Sequence, residues 1–105
     1  MRRDVFNAIA DPTRRGIMLS LTEERQNVNA LAEQFDMSRQ AVSLHLKYLQ
    51  ECGVIIVKKE GRERICELEL KAVAELADWL EPFKVLWEKR FNQLDQVLKS
   101  MKKEP

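Results

Sequence analysis

The chain predicts a mainly α fold with a small β-hairpin wing: one winged helix-turn-helix domain over residues 1–105. Three observations predict it. Residues 29–51 carry two helical patterns separated by a tight turn. Residues 54–68 are β-branched, reverse at a glycine and return with basic residues. Residues 70–103 carry an apolar stripe at helical spacing. A helix-turn-helix followed by a charged hairpin can set a helix in a groove of duplex DNA and a loop on the adjacent backbone.

Each element follows from local chemistry. A first helix is expected over 2–10, with Val5, Phe6 and Ile9 along one side. Asp11-Pro12 restarts the chain, because Asp accepts from a free amide and Pro is tolerated at the first helical position. The second helix is expected over 12–21, with Ile17, Leu19 and Leu21 as its apolar surface and Gly16 as a weak point. The polar run TEERQN at 22–27 reads as a loop. Asn29 is the expected cap of a third helix, with Leu31, Ala32 and Phe35 inward. Asp36-Met37 turns the chain, and Ser38 caps the fourth helix. Ala41, Val42, Leu46 and Leu49 form its buried stripe, and Gly53 stops it by taking a left-handed backbone. The wing follows over 54–68, with its turn at Glu60-Gly61. In the last helical region Leu76, Leu80, Phe83, Trp87, Phe91, Leu94, Leu98 and Met101 step by three or four. Pro82, lacking an amide proton, should begin a new helix there or kink a continuous one.

Composition narrows the function classes. A hydrophobic fraction of 45% with 33% charged residues is that of a globular, soluble chain. No apolar run approaches the roughly 20 residues that span a bilayer. No secretion signal is apparent, so the expectation is cytoplasmic and without a membrane partner. The net charge of +1 is unevenly divided: residues 38–64 carry six cations against three carboxylates, and residues 1–20 four against two, while residues 21–37 and 65–105 are net acidic. Positive charge therefore gathers where phosphate contact is expected. One His, two isolated Cys and three scattered Gly supply neither a phosphate loop nor a triad-like set, which excludes the common enzyme chemistries.

The fourth helix is the candidate reader of double-stranded DNA. With its apolar stripe packed, Arg39, Gln40, Ser43, Leu44 and Lys47 face outward. Arg pairs with guanine edges, Gln with adenine and Ser with several acceptors. His45, the only histidine, is placed at the edge of that face as a contact, not as an acid or base. On the wing, Lys58, Lys59, Arg62 and Arg64 reach towards phosphate or a minor groove. They also protect an edge strand from aggregation. The terminal stripe would leave a large apolar patch on a monomer, so self-association is expected. Val5, Phe6, Ile9, Leu80, Phe83, Trp87, Phe91, Leu94 and Leu98 are the expected pairing residues, with 1–22 and 70–103 as dimerisation helices. A twofold homodimer spaces two reading helices by about 34 Å, one turn of DNA.

The chain resembles the ArsR/SmtB family of winged-helix repressors. The carrying stretches are ADPTR at 10–14, LA at 31–32, SRQAVSLHLKYL at 38–49 and GVI at 53–55. WLEPF at 79–83, with Trp87, Arg90 and Phe91, resembles the SdpR-like autorepressor branch. The resemblance implies a homodimer that binds an inverted-repeat operator and blocks transcription. It assigns Ser38, Arg39, Gln40, Ser43, Leu44 and His45 to the reading helix and 58–64 to the wing. Many members sense metals through cysteines in the helix before the turn or Asp/His sets on the last helix. Here that first helix is VNALAEQF and the last lacks His, so no metal site and no cofactor are expected. Cys52 and Cys66 do not match the family's redox pair, and Cys52 reads as a small buried apolar residue. The alternatives are a metal- or thiol-responsive sensor of the same family and a winged-helix protein-interaction module without DNA binding. The sequence leaves open an unidentified inducer or partner protein.

Overall fold

The structure, a computed structural model, describes residues 3–102. Arg2 and residue 103, which the sequence reading places in terminal helices, lie outside the described residues. The elements run α1 (Val5–Ala8), α2 (Pro12–Ser20), β1 (Gln26–Asn27), α3 (Val28–Glu33), α4 (Arg39–Glu51), β2 (Ile55–Glu60), β3 (Glu63–Leu68) and α5 (Leu70–Lys102).

Side-chain caps start the short helices. The Asp4 carboxylate accepts from the amides of Phe6 and Asn7, and the Asn7 side chain accepts in return from the Asp4 amide. Asp11 accepts from the Arg14 amide at 3.0 Å with Pro12 in the first helical position, as the sequence predicts. Ser38 accepts from the Ala41 amide at 3.1 Å and starts α4. The cap of α3 is Asn27, not Asn29; its side chain accepts from Ala30 at 2.7 Å. The misplacement has a clear source, since both positions hold Asn and only the backbone pairing of Asn27 with β3 decides between them. At the end of α4, Val54 donates to the Leu49 carbonyl and Gly53 to that of Gln50, with Gly53 at φ 76°. This double closure needs a left-handed residue and turns the chain directly into the sheet.

The sheet is antiparallel in the order β1-β3-β2. Its third strand, β1, is missing from the sequence reading, which takes 22–27 as loop. Two polar residues have no alternating pattern to reveal, and their pairing with Cys66 and Ile65 is a long-range contact. The hairpin closes through Gly61 and Arg62 rather than Glu60-Gly61, with positive φ only at Gly61, the pattern of a type II′ turn.

One core joins all of this. Ile17, Leu31, Val42, Leu49, Val54 and Cys66 are fully buried. Leu19, expected inward, is 69% exposed, because Met18 takes the inward position beside Ile17. Val5 also departs from expectation. In a four-residue helix, positions 5 and 8 point the same way, so Val5 fills the subunit's own core with Ala8 and is 1% exposed. It is therefore not on a pairing surface. Gly16 is a close approach, since a Cβ there would lie 3.1 Å from the Phe35 ring.

Arg14 ties three helices together. Its guanidinium donates to the Ala8 and Asn7 carbonyls at 3.1 and 3.0 Å, at the end of α1. It also lies 4.1 Å from the centroid of the Tyr48 ring on α4, and Arg3 lies 4.2 Å from the same ring. Arg3 pairs with Glu51, and Arg15 donates to the Ile9 carbonyl at 2.7 Å. The described N-terminal cations are thus bonded within the chain.

The last element extends away from the rest. At about 1.5 Å per residue, the 33 residues of α5 span roughly 50 Å. The chain measures 69 × 30 × 22 Å with a radius of gyration of 19.3 Å, against about 13 Å for a compact chain of this length. The helix runs through Pro82 without a break in assignment. The missing proline donor leaves the carbonyl of exposed Asp78 to water. Ala72 and Leu76 pack on the core, and Trp79 meets the Phe6 ring edge-on at 5.4 Å. Beyond them every residue is exposed. No described helix is long and apolar enough to cross a membrane.

The caps and the Arg14 contacts have measurable worth. Asp11→Ala should cost about 1 kcal/mol in denaturant unfolding, the usual value of an N-cap. The hydrogen bond from the Arg14 amide holds the Asp11 carboxyl below its ordinary 3.8. A depressed folded pKa stabilises fully above the unfolded value and is lost as pH falls through the folded one. Asp11→Asn should therefore flatten the stability profile below pH ~4 while leaving the neutral region less affected; an unchanged acid limb would contradict this. Arg14→Lys keeps the charge but loses the forked grip on two carbonyls, and should cost about 1–3 kcal/mol.

Candidate nucleic-acid interface

The buried stripe of α4 (Val42, Leu46 and Leu49) faces the core, so the opposite side is free. That side forms one wall of an open groove lined by Arg39, Gln40, Ser43, Leu44, Lys47 and Gln50, and the other wall is Arg64 of the wing. The five residues that the packed stripe leaves outward, Arg39, Gln40, Ser43, Leu44 and Lys47, therefore share one surface with a wing cation. Leu44 is 69% exposed in its centre, an apolar side chain of the kind that can meet a thymine methyl. Ser38 stands at the helix start, exposed, with its hydroxyl committed to the cap.

Two expected contacts lie elsewhere. His45 is on the other flank of α4, the side of Ala41 and Tyr48, towards Asp11 at the start of α2. A helix advances about 100° per residue, so a residue next to Leu44 in sequence need not share its face. Lys58 lies on the outward face of the sheet, where its ammonium meets the Glu67 carboxylate at 2.7 Å and holds that carboxyl below its ordinary value.

Strand register explains how the wing divides. Ile55, Val57 and Lys59 alternate on one face of β2, opposite Leu68, Cys66 and Arg64 of β3. This face packs on the helices at its base and runs beyond them at its tip. There it carries Lys59 and Arg64, direct cross-strand partners, on the α4 side. The other face carries Lys58 and Glu60, and Glu60 is bonded to Arg25 at 2.6 Å. Arg62 occupies the turn and is exposed.

Sequence reasoning missed Gln50. It lies one turn beyond Lys47 on the same side of α4, so counting i+3 from Lys47 and i+7 from Ser43 would have found it. It also missed Asn27 and Asn29, which line a small cleft against the wing tip.

The thiols lie inside. Cys66 is fully buried in β3 and Cys52 nearly so at the end of α4, and burial pushes both thiols above their ordinary pKa. Among the described residues, no three His, Cys, Asp or Glu side chains gather as a metal site would require.

Residues 11–57 match the family described as bacterial regulatory protein, arsR family. Over 80 residues the chain is 31% identical to the transcriptional repressor SdpR of Bacillus subtilis, covering 76% of this chain and 89% of that one. The chain belongs to the ArsR family. It is also 32% identical to the HTH-type transcriptional regulator Rv2034 of Mycobacterium tuberculosis, with 90% and 86% of the two chains covered. A crystal structure of an ArsR family transcriptional regulator, RHA00566, superposes with a TM-score of 0.70 at 36% identity, over 80% of this chain and 92% of that one. Membership makes this ArsR-family chain a winged helix-turn-helix transcription regulator and not an enzyme, as its residues predict.

Buried, high-pKa thiols react slowly. In the native protein at pH 7–8, a thiol reagent should label Cys52 and Cys66 far more slowly than after unfolding in denaturant. Rapid labelling of either in the folded state would contradict their burial.

Proposed function

We propose that this ArsR-family regulator acts as a homodimeric repressor on an inverted-repeat operator, reading bases with the free face of α4 and holding the flanking backbone with the wing. The observation that carries the reading is the shared groove, where Arg39, Gln40, Ser43, Leu44 and Lys47 stand against Arg64. A groove walled by an exposed helix and a cationic strand offers base-edge partners beside phosphate partners.

The pairing half of the proposal rests on α5. Leu80, Phe83, Trp87, Phe91, Leu94 and Leu98 fall on one face roughly 80° wide at 100° per residue. It is the same face that Ala72 and Leu76 press on the core. This apolar surface continues uncovered for the rest of the helix, with Trp87 65% exposed. A second copy supplies a matching stripe under twofold symmetry. Half-buried Phe6 and Ile9 border its base. No inducer is needed by this reading; concentration of the regulator sets occupancy.

Three measurements test it. The purified chain should select discrete promoter fragments from genomic DNA, with affinity falling steeply as salt rises. Gln40→Ala and Ser43→Ala should each relax choice at one or two base pairs, at about 1–3 kcal/mol for each base interaction removed. Phe91→Glu should shift sedimentation from dimer to monomer and weaken operator binding. A wild-type monomer at micromolar concentration, or equal affinity for all duplexes, would overturn the proposal.

A further inference from the structure

The cleft between α3 and the wing tip is lined by Asn27, Val28, Asn29, Arg39, Arg62, Glu63 and Arg64, and has a volume of about 120 Å³. Among the described residues, none of the three guanidinium groups has an ion-pair or hydrogen-bond partner. Three unpaired cations around one small space repel each other unless an anion joins them. Arg39 and Arg64 also line the groove along α4, so the cleft opens beside that groove. The Asn27 side-chain oxygen accepts from the Ala30 amide, which leaves its amide group at the cleft, 3.4 Å from the Glu63 carboxylate.

We infer that this cleft is a phosphate clamp, in which Arg39, Arg62 and Arg64 with the Asn27 and Asn29 amides hold one phosphodiester of duplex DNA at the border of the groove. The inference rests on the DNA-binding reading above and divides its labour. Arg39, by residue type a guanine reader, becomes a backbone ligand, and base choice passes to Gln40, Ser43, Leu44 and Gln50. A space of that size admits a phosphate group. Forked guanidinium groups match phosphate oxygens in pairs.

Salt titrations of the full chain on its selected operator and on random duplex test the clamp. Removing one phosphate-neutralising cation reduces the slope of log affinity against log salt by about 0.9. Because three guanidinium groups share one phosphate, Arg39→Ala and Arg62→Ala should each reduce the slope by part of that amount, by no more than about 0.9 together, and weaken both duplexes by the same factor. Arg39→Lys should retain the slope. A methylphosphonate that neutralises the clamped phosphate should weaken the wild type more than it weakens Arg62→Ala, in which two of the three guanidinium groups remain. An unchanged slope in either alanine variant, or a changed base preference in Arg39→Ala, overturns the clamp. Gln40→Ala in the same series separates the two ideas. If the wild type binds no duplex selectively, the parent reading fails; if it binds and Gln40→Ala relaxes base choice while the slopes stay fixed, only the clamp fails.

Discussion

The seating of α4 is the constraint on which the rest depends. Val42 and Leu49 are fully buried and Leu46 nearly so, each against a core shared with α2, α3 and β2. A helix held by one stripe cannot rotate without exposing that stripe, and burying one such side chain is worth about 1.5–3 kcal/mol. The free side is therefore fixed in direction by apolar residues that never touch it. The ends are fixed as well: Ser38 starts the helix and the double closure at Gly53 stops it. The same closure sends Val54 and Ile55 straight into the core, so the wing emerges at a set angle to the helix. The groove between α4 and Arg64 is the geometric product of those two commitments.

The wing shows how a modest net charge becomes a directed one. Lys58 and Lys59 are neighbours in β2, and the strand period of two sorts them to opposite faces. On the outward face, carboxylates meet them: Glu67 holds Lys58, and Arg25 holds Glu60. On the face towards α4, Lys59 and Arg64 are left without such partners among the described residues. Arg3, Arg14 and Arg15 are likewise absorbed, by carbonyls, by Glu51 and by the Tyr48 ring. Counting charge along the chain places positive residues in two regions. Among the described residues, geometry leaves those beside α4 free to act.

The same sorting separates what the residues disclose from what they conceal. The helix-turn-helix was legible because each signal is local: a cap at Ser38, an apolar spacing of three and four, and a glycine stop. The wing was legible through its β-branched run and its turn glycine. What escaped depends on contacts far apart in sequence. β1 exists because Gln26 and Asn27 find Cys66 and Ile65, and that pairing moves the α3 cap from Asn29 to Asn27. Val5 reads as part of an apolar edge, but the brevity of α1 turns it into the core. His45 and Lys58 are sorted away from the groove by helix phase and strand parity. Arg14 reads as surface charge, though it is the bolt between α1 and α4. A cation that bonds to carbonyls and a ring carries no sequence mark to separate it from one that faces solvent.

The bolt has a mechanical consequence. Trp79 of α5 rests on Phe6 of α1; the carbonyls at the end of α1 are held by Arg14 of α2; and Arg14 stacks on Tyr48 of α4. The base of the long helix is thus connected to the reading helix by rigid contacts rather than by a loop. If two copies join along α5, the angle and distance between their α4 faces are set by these contacts, and a pair of half-sites about one turn apart demands that both be fixed. A flexible joint would have to lose its freedom on binding and would weaken the complex by that cost. Stiffness also explains why an arginine serves at position 14. Only a planar, forked cation can meet two carbonyls with its edge while its face lies on an aromatic ring.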